Sequence, residues 1–177
     1  MKEPRVILVD EYDNPTGETG KMDAHRNALL HRAVSVFIFN TRGEWILQRR
    51  AFGKYHSKGL WTNTCCTHPA PGEDNMKAAR RRLKEEMGIT AELQELFSFI
   101  YRENLDNDLT EYELDHVFFG VTDSIPAINR EEAEEWKAIN FSDLHDDISA
   151  NPSAYTCWFR KIYLKVNESA VKINPEK

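Results

Sequence analysis

Runs of apolar residues predict the strands of this chain. The clearest strand is predicted at residues 33–39 (AVSVFIF), where branched and aromatic side chains follow one another. A turn at 40–43 and a second apolar run at 45–48 predict an antiparallel hairpin. Further strands are predicted at 5–10, 93–102, 114–121 and 136–140, with a turn at 13–17 after the first of them.

The most distinct helix is predicted at residues 75–87. Asp74 is suited to cap its N-terminus, and Gly88 is suited to follow its last turn. The helix should pack by one face only, because its apolar residues form a narrow stripe. That stripe consists of Ala78, Ala79, Leu83 and Met87.

Three more segments complete the pattern. Residues 22–30 are interpreted as a short helix or a loop, a helix is predicted from Ser142, and a last helix is predicted at 152–168. Strands mixed with a few helices predict an α/β or α+β sandwich.

Composition limits the classes of function. The chain has 177 residues, of which 41% are hydrophobic, so a single domain is expected. A net charge of -6 argues against a nucleic-acid partner. No apolar stretch approaches the roughly 20 residues that span a bilayer, and the first residues lack a secretory signal, so no membrane partner and a cytoplasmic location are expected. The three cysteines are expected to be free thiols. The oligomeric state is left open.

Two carboxylates at the start of a predicted strand indicate a cation site. Glu111 and Glu113 are one residue apart, so strand alternation puts both on one face. If that face is half-buried, a cation is needed to offset their repulsion and desolvation. The chain offers nitrogen ligands for such an ion at His25, His31 and His68.

The spacing of the histidines restricts this site. His25 and His31 are six residues apart, so only a loop or a helix end can bring both to one ion. Three imidazoles and two carboxylates form a ligand set suited to Mn²⁺, Zn²⁺ or Fe²⁺. Five ligands leave little room for an open position, so a structural site competes with a catalytic one.

The segment 62–69 (TNTCCTHP) concentrates groups that can react. Cys66 has the same parity as His68, so both would face the metal pocket, whereas Cys65 would point into packing. Cys66 is therefore the better candidate for an acid or a nucleophile. Cys157 has no such neighbour in sequence and is interpreted as core.

Basic residues occur in two clusters that could hold phosphate oxygens. One cluster is Arg49, Arg50 and Lys54, and the other is 80–82 (RRR). Each cluster taken alone is equally compatible with a solvated face. Trp158 would by default be core, although an aromatic face can also stabilise a positive charge.

Three segments give the chain a strong resemblance to a known family. They are 30–37 (LHRAVSVF), 61–69 (WTNTCCTHP), and Tyr101-Arg102 followed by 111–115 (EYELD). On these segments the chain resembles the type I isopentenyl-diphosphate isomerases, which are Nudix-fold enzymes, over nearly all its length. The resemblance implies an α/β (α+β) Nudix-fold α/β/α sandwich with a mixed β-sheet, formed as one domain by residues 1–177.

The resemblance also implies residue roles. The implied metal ligands are His25, His31, His68, Glu111 and Glu113. The implied proton-transfer pair is Cys66 and Glu113, with Tyr101 assisting Glu113. The residues at the family's diphosphate-binding positions are Lys21, Arg50, Lys54 and Arg82. Glu86 and the Cys66 carbonyl would meet a Mg²⁺ ion carried by the diphosphate, and Trp158 matches the aromatic residue that faces the reacting carbons. The metal at the His/Glu site is expected to be Mn²⁺ or Zn²⁺.

The Nudix pattern contains departures that bear on activity. The hydrolase pattern is Gly-x5-Glu-x7-Arg-Glu-U-x-Glu-Glu-x-Gly-U, where U is a bulky aliphatic residue. Thr67 replaces the first Gly, and Arg82 stands where a carboxylate is expected. The positions that fit are Glu73, Arg81, Leu83, Glu85, Glu86, Gly88 and Ile89. Loss of one carboxylate removes part of a Mg²⁺ cluster, which disfavours hydrolysis of the diphosphate.

The implied reaction moves a double bond from isopentenyl to dimethylallyl diphosphate through a carbocation. Glu113, helped by Tyr101, is hypothesised to protonate the alkene while Cys66 deprotonates or reprotonates from the other face, and the direction is left open. A Nudix diphosphate hydrolase and a non-catalytic, metal-stabilised binding module are the competing functions.

Overall fold

The computed structural model describes residues 3–105 and 107–173. The ends of the expected domain (1–2 and 174–177) and Asp106 lie outside the described residues. Within the described ranges, no helix is both long and apolar enough to span a membrane.

The described residues form one sheet and four α-helices. The strands are β1 (Arg5–Val9), β2 (Pro15–Gly20), β3 (His31–Phe39), β4 (Trp45–Arg50), β5 (Trp61–Thr62), β6 (Cys65–Thr67), β7 (Leu93–Asn104), β8 (Thr110–Val121) and β9 (Ala133–Ile139). The helices are α1 (Lys21–Arg26), α2 (Asn75–Met87), α3 (Phe141–Ala150) and α4 (Cys157–Ile173).

Strand β3 lies at the centre of the sheet. Along one edge it pairs in parallel with β8 over its whole length. It also pairs antiparallel with β1, β6 and β4. The remaining pairs are antiparallel as well: β1 with β2, β4 with β5, β4 with β9 and β7 with β8. The sheet is therefore mixed, as the resemblance implies, and the predicted hairpin of β3 and β4 is confirmed.

Alternation along the sheet separates two apolar cores. Phe37 and Phe39 of β3 point to the face covered by α3 and α4. Val34 and Val36 point to the other face, where Leu83 of α2 is buried. Helices therefore cover both faces, and the predicted sandwich is confirmed.

Helix α2 begins and ends at the predicted residues. The Asp74 side chain accepts a hydrogen bond from the backbone N–H of Lys77 at 3.1 Å. Gly88 follows the helix with φ of 68°, where a Cβ would also lie 2.8 Å from the backbone oxygen of Ala127. Glycine at this position therefore meets both a conformational and a steric requirement.

Three segments differ from the sequence prediction or resolve its alternatives. The predicted turn at 13–17 is wrong in its second half, because Pro15 and Gly17 pair with β1 in an exposed edge strand that has no apolar alternation. The predicted helix at 152–168 is also wrong at its start. Residues Pro152–Ala154 form a 3₁₀ turn, and extended Tyr155 bridges to Trp61 before α4 begins at Cys157. The segment 22–30, interpreted as a short helix or a loop, is helical in its first part, since α1 ends at Arg26.

Candidate active site

Strand register brings three site residues into one row across the sheet. His31 of β3 is opposite Glu113 of β8, and Tyr101 of β7 is opposite Glu113 on its other side. Aligned residues of neighbouring strands point to the same face. Glu113 is therefore flanked by an imidazole and a phenol, and all three side chains are buried.

Two further histidines reach Glu113 from outside this row. His25 lies in the last turn of α1, and His68 directly follows β6. Their Nε2 atoms lie 3.9 Å and 2.9 Å from Glu113 Oε1, and that of His31 lies 3.5 Å away. The structure thus brings the three imidazoles together at Glu113, and His25 reaches it from a helix end.

The protonation of the imidazoles fits a metal ion. The Nδ1 atoms of His25 and His31 donate to the backbone oxygens of Lys21 and Leu29, so each Nε2 presents a lone pair. Both Nε2 atoms are buried and have no hydrogen-bond partner. Burial lowers the pKa of His68 to about 3, which keeps this ring neutral at pH 7. Donor atoms of His25, His31, His68 and Glu113 lie within 4.8 Å of one another, so the group can hold a metal ion.

Glu111 belongs to an adjoining group instead. Its carboxylate lies with His25 and His56, and Glu111 Oε1 is 3.6 Å from His56 Nε2. His56 was missed by the sequence analysis, because it lies in a loop where no periodicity indicates its direction. The structure therefore brings four of the five expected metal ligands together directly, with Glu111 in the neighbouring set that shares His25.

One phenol connects the two carboxylates. The Tyr101 hydroxyl lies 2.7 Å from Glu113 Oε2 and 3.1 Å from Glu111 Oε2. Burial and the charge of Glu113 raise the pKa of Glu111 well above its usual value. Burial also acts to raise the pKa of Glu113, but contacts with His68 and His31 outweigh it and leave that pKa well below its usual value. The two neighbouring carboxyl groups therefore differ strongly in proton affinity, and that of Glu111 is the higher.

The carboxylates open into a cavity of about 550 Å³ with a basic wall. All four predicted diphosphate-binding residues line it: Lys21, Arg50, Lys54 and Arg82. Within the described ranges, no carboxylate forms an ion pair with Lys21 or Arg50. Lys54 and Arg82 both pair with Glu132, a residue missed by the sequence analysis. Lys21 and Arg50 are therefore available to bind an anion, and Lys54 and Arg82 can release Glu132 to bind one.

The Mg²⁺ position implied for Glu86 lies in the same cavity. Glu86 is buried, and its Oε1 accepts from Arg82 at 2.6 Å. Gln48 donates to Glu86 Oε2 at 2.9 Å. Of the other members of the basic clusters, Arg49 and Arg80 do not line the cavity and pair with Glu135 and Glu92, whereas Arg81 lines it and pairs with Glu73.

The two adjacent cysteines have opposite environments, as predicted. Cys65 is fully buried in the core beneath α2, whereas Cys66 lines the cavity beside His68. Burial raises the pKa of Cys66 to about 12, so it is a neutral thiol at pH 7. Its sulfur also lies 3.6 Å from Ser35 Oγ, which donates to Asp115 at 2.7 Å. Asp115 continues the alternation of Glu111 and Glu113, a signal that could have identified it.

Two residues of α4 also face this region. Trp158 lines the cavity, and the Arg50 guanidinium lies 5.3 Å from its ring centre. The interpretation of Cys157 as core is correct only in part, because the residue packs against the core cluster without being fully buried. The Cys157 side chain is partly exposed, and its sulfur lies 3.8 Å from Glu111 Oε2. Cys157 is the first residue of α4, and its sulfur contacts Glu111 of β8.

Comparisons with known proteins identify the class first. The model of the NUDIX domain matches residues 29–159. A crystal structure of DR0079 from Deinococcus radiodurans has a TM-score of 0.73 at 20% identity, and covers 90% of this chain and 97% of its own. A MutT protein from Methanosarcina mazei has a TM-score of 0.65 at 18% identity, covering 80% and 95%. At such identities the likeness shows the fold alone, and that fold is a NUDIX domain.

Relatives of higher identity define the family within this class. Isopentenyl-diphosphate Delta-isomerase 2 of Aromatoleum aromaticum is 52% identical over 156 residues, which are 88% of this chain and 82% of that protein. Isopentenyl-diphosphate Delta-isomerase 1 of the same organism is 54% identical, covering 88% of both. The isomerase of Pectobacterium atrosepticum is 48% identical over 91% of this chain and 90% of its own. The chain belongs to the isopentenyl-diphosphate Delta-isomerase family.

Proposed function

We propose that this chain converts isopentenyl diphosphate to dimethylallyl diphosphate by adding a proton at one carbon and removing a proton from another. One observation supports this chemistry most directly: Cys66, Glu113 and Trp158 line a single cavity that also has a basic wall. The cavity thus combines two groups that exchange protons, an aromatic face and cations for a diphosphate.

The diphosphate is proposed to bind Lys21, Arg50, Lys54 and Arg82. Burial lowers the pKa of Lys21, which favours an anion as its partner. A Mg²⁺ ion carried by the diphosphate is proposed to contact Glu86 and the Cys66 carbonyl. Binding of the diphosphate positions the five-carbon unit deeper in the cavity, beside Cys66 and Trp158.

The reacting alkene is a poor base, so its protonation needs a positioned acid in a site without competing water. Protonation gives a tertiary carbocation, which the face of Trp158 would stabilise. Cys66 holds a proton at neutral pH, and the Tyr101 hydroxyl contacts both Glu111 and Glu113. We propose that Glu113, with Tyr101, and Cys66 act as the proton-transfer pair, one adding and the other removing a proton.

The His/Glu group is proposed to hold Mn²⁺ or Zn²⁺ through His25, His31, His68, Glu111 and Glu113. The two unpartnered Nε2 atoms support this assignment, because a neutral buried imidazole is a good nitrogen ligand. When bound, the ion would supply positive charge that lowers the proton affinity of its carboxylate ligands.

Arg82 supports isomerisation over hydrolysis. Its guanidinium pairs with Glu86 and Glu132, so it neutralises carboxylates that would otherwise help to collect metal ions. A water-activating metal cluster is thereby weakened, and phosphate binding is favoured. We further propose that the chain acts as a single domain in the cytoplasm, where its three free thiols would stay reduced.

The decisive experiment is incubation with isopentenyl diphosphate and Mg²⁺ in deuterated water. The proposal expects dimethylallyl diphosphate, solvent deuterium in the five-carbon unit and no phosphate release. Phosphate without the isomer would indicate a hydrolase, and binding without either product would indicate a non-catalytic module.

The two adjacent cysteines provide a matched pair of variants for this assay. Cys66→Ala is expected to remove turnover while substrate still binds, since the basic wall is unchanged. Cys65→Ala deletes the same atom from the core side of the strand and is expected to retain turnover with a slightly lower Tm. Equal activity of the two variants would refute the role of Cys66.

A further inference from the structure

We propose that Asn63 is a positioning residue that holds the Cys66 thiol and the Trp158 indole in a fixed relation at the cavity wall. The inference rests on the proposed function, because it takes these two side chains as the groups that meet the reacting carbons. Asn63 itself is fully buried and does not line the cavity.

One amide contacts both groups directly. Asn63 Oδ1 accepts from Trp158 Nε1 at 3.2 Å. The same oxygen lies 3.2 Å from Cys66 Sγ, and Asn63 Nδ2 lies 3.1 Å from that sulfur. The thiol and the indole therefore cannot shift relative to each other without breaking a buried hydrogen bond.

The amide is fixed from behind by a buried network. Asn63 Nδ2 donates to the backbone oxygen of Cys65 at 2.8 Å. Asn63 Oδ1 accepts from Thr62 Oγ1 at 2.8 Å, and Thr62 in turn accepts from Thr156 Oγ1 at 2.9 Å. Because Thr156 immediately precedes α4, the network connects the strand that carries Cys66 to the helix that carries Trp158.

Asparagine has the chemistry that this position requires. Its oxygen accepts from the indole and from a thiol, and its nitrogen donates to a sulfur that has lost its proton. An aliphatic side chain would leave Trp158 Nε1 buried without an acceptor. A carboxyl group would keep the acceptor but lose the amide donor. Displacements of about 1 Å of reacting groups can cost about 100-fold in rate, so loss of this contact should appear in kcat.

The test compares steady-state kinetics of Asn63→Ala, Asn63→Asp and Trp158→Phe. Asn63→Ala is expected to lower kcat about 100-fold and to change KM less than about threefold, because none of the hydrogen bonds of Asn63 goes to one of the four basic residues proposed to bind the diphosphate. Asn63→Asp is nearly isosteric and keeps the acceptor for Trp158, so it tests the role if the alanine variant fails to fold. It is expected to lower kcat with KM preserved.

A double-mutant cycle separates positioning from a general loss of stability. Phenylalanine keeps an aromatic face at position 158 but cannot donate to Asn63. The effect of Asn63→Ala on kcat is therefore expected to be at least about fivefold smaller in the Trp158→Phe background than in the wild type. Asn40→Ala is the control, since Asn40 is another buried asparagine whose side chain serves the turn after β3. It is expected to lower Tm with kcat unchanged.

The outcomes distinguish this inference from the proposed function. If the wild type forms no dimethylallyl diphosphate, the proposed function fails and the inference fails with it. If the wild type is active, a kcat of Asn63→Ala within twofold of wild type overturns the inference alone. Purely additive effects with Trp158→Phe, or equal effects on kcat and KM, overturn it as well.

Discussion

Removal of one imidazole from the His/Glu group should remove most of the stabilisation by metal. His31 is fully buried, and its Nε2 lies 3.5 Å from Glu113 Oε1 without a hydrogen-bond partner. His31→Gln removes one of four donor atoms that lie within 4.8 Å of one another. The structure therefore predicts that this substitution changes the response to metal more than it changes the metal-free fold.

The magnitude follows from ligand linkage. Metal at 100 times its Kd stabilises the folded state by about 2.7 kcal/mol. For a chain of 177 residues, this corresponds to a rise in Tm of about 5–11 °C. If the loss of one ligand weakens binding about 100-fold, only about 0.4 kcal/mol remains at the same metal concentration, or about 1–2 °C. In the absence of metal, His31→Gln removes a buried nitrogen, Nε2, that has no hydrogen-bond partner. The free energy of unfolding of the metal-free variant should therefore lie within about 1 kcal/mol of the wild-type value.

The assay is thermal unfolding of both proteins in EDTA and then with Mn²⁺ or Zn²⁺ added in excess, with metal content measured in parallel. His145→Gln is the control, because His145 is exposed on α3 and contacts Tyr163 outside the cavity. It should respond to metal like the wild type. The reasoning would be refuted by a wild-type Tm that is the same in EDTA and in metal, or by an undiminished response of His31→Gln.

Three other substitutions test separate parts of the structure. Tyr101→Phe removes the hydroxyl that contacts the carboxylates of Glu111 and Glu113. In the isomerase assay kcat should therefore fall about 10- to 100-fold with metal content unchanged. Full activity would contradict the role of Tyr101. Leu83→Ala opens a cavity beneath α2, so urea unfolding should show a free energy of unfolding about 3 kcal/mol lower than that of the wild type. A decrease of less than about 1 kcal/mol would argue against a tightly packed core. The hydrogen bond from Arg81 lowers the pKa of Glu73, so this pair stabilises the fold above the ordinary pKa of glutamate and loses that effect as pH falls. Glu73→Gln should therefore lose less stability than wild type between about pH 5 and 3, and parallel pH profiles would refute this assignment.

The local elements could be predicted because they depend on short-range chemistry. Asp74 and Gly88 bound α2 through their own side-chain and backbone preferences. Alternation in β8 puts Glu111 and Glu113 on one face, and alternation in β6 separates Cys65 from Cys66. The motifs were also sufficient to predict the family, which the relatives confirm.

Segments without a strong local signal were predicted less well. The edge strand β2 is exposed and has no apolar alternation, so nothing in its pattern distinguishes it from a loop. The start of α4 is decided by Tyr155, whose extended backbone bridges to Trp61 in a distant part of the chain. Such a contact depends on packing between segments that are far apart in the sequence, which no short window of sequence contains.

The sequence by itself determined the elements, the residue types of the site and the family. Only the tertiary structure decided which residues meet, because His25, His31 and His68 reach Glu113 from three separate elements. It also brought in His56 and Asn63, whose directions are set by a loop and by a buried network. Secondary structure follows from interactions between residues close in sequence, whereas a site depends on long-range packing that fixes distances to within about 0.5 Å.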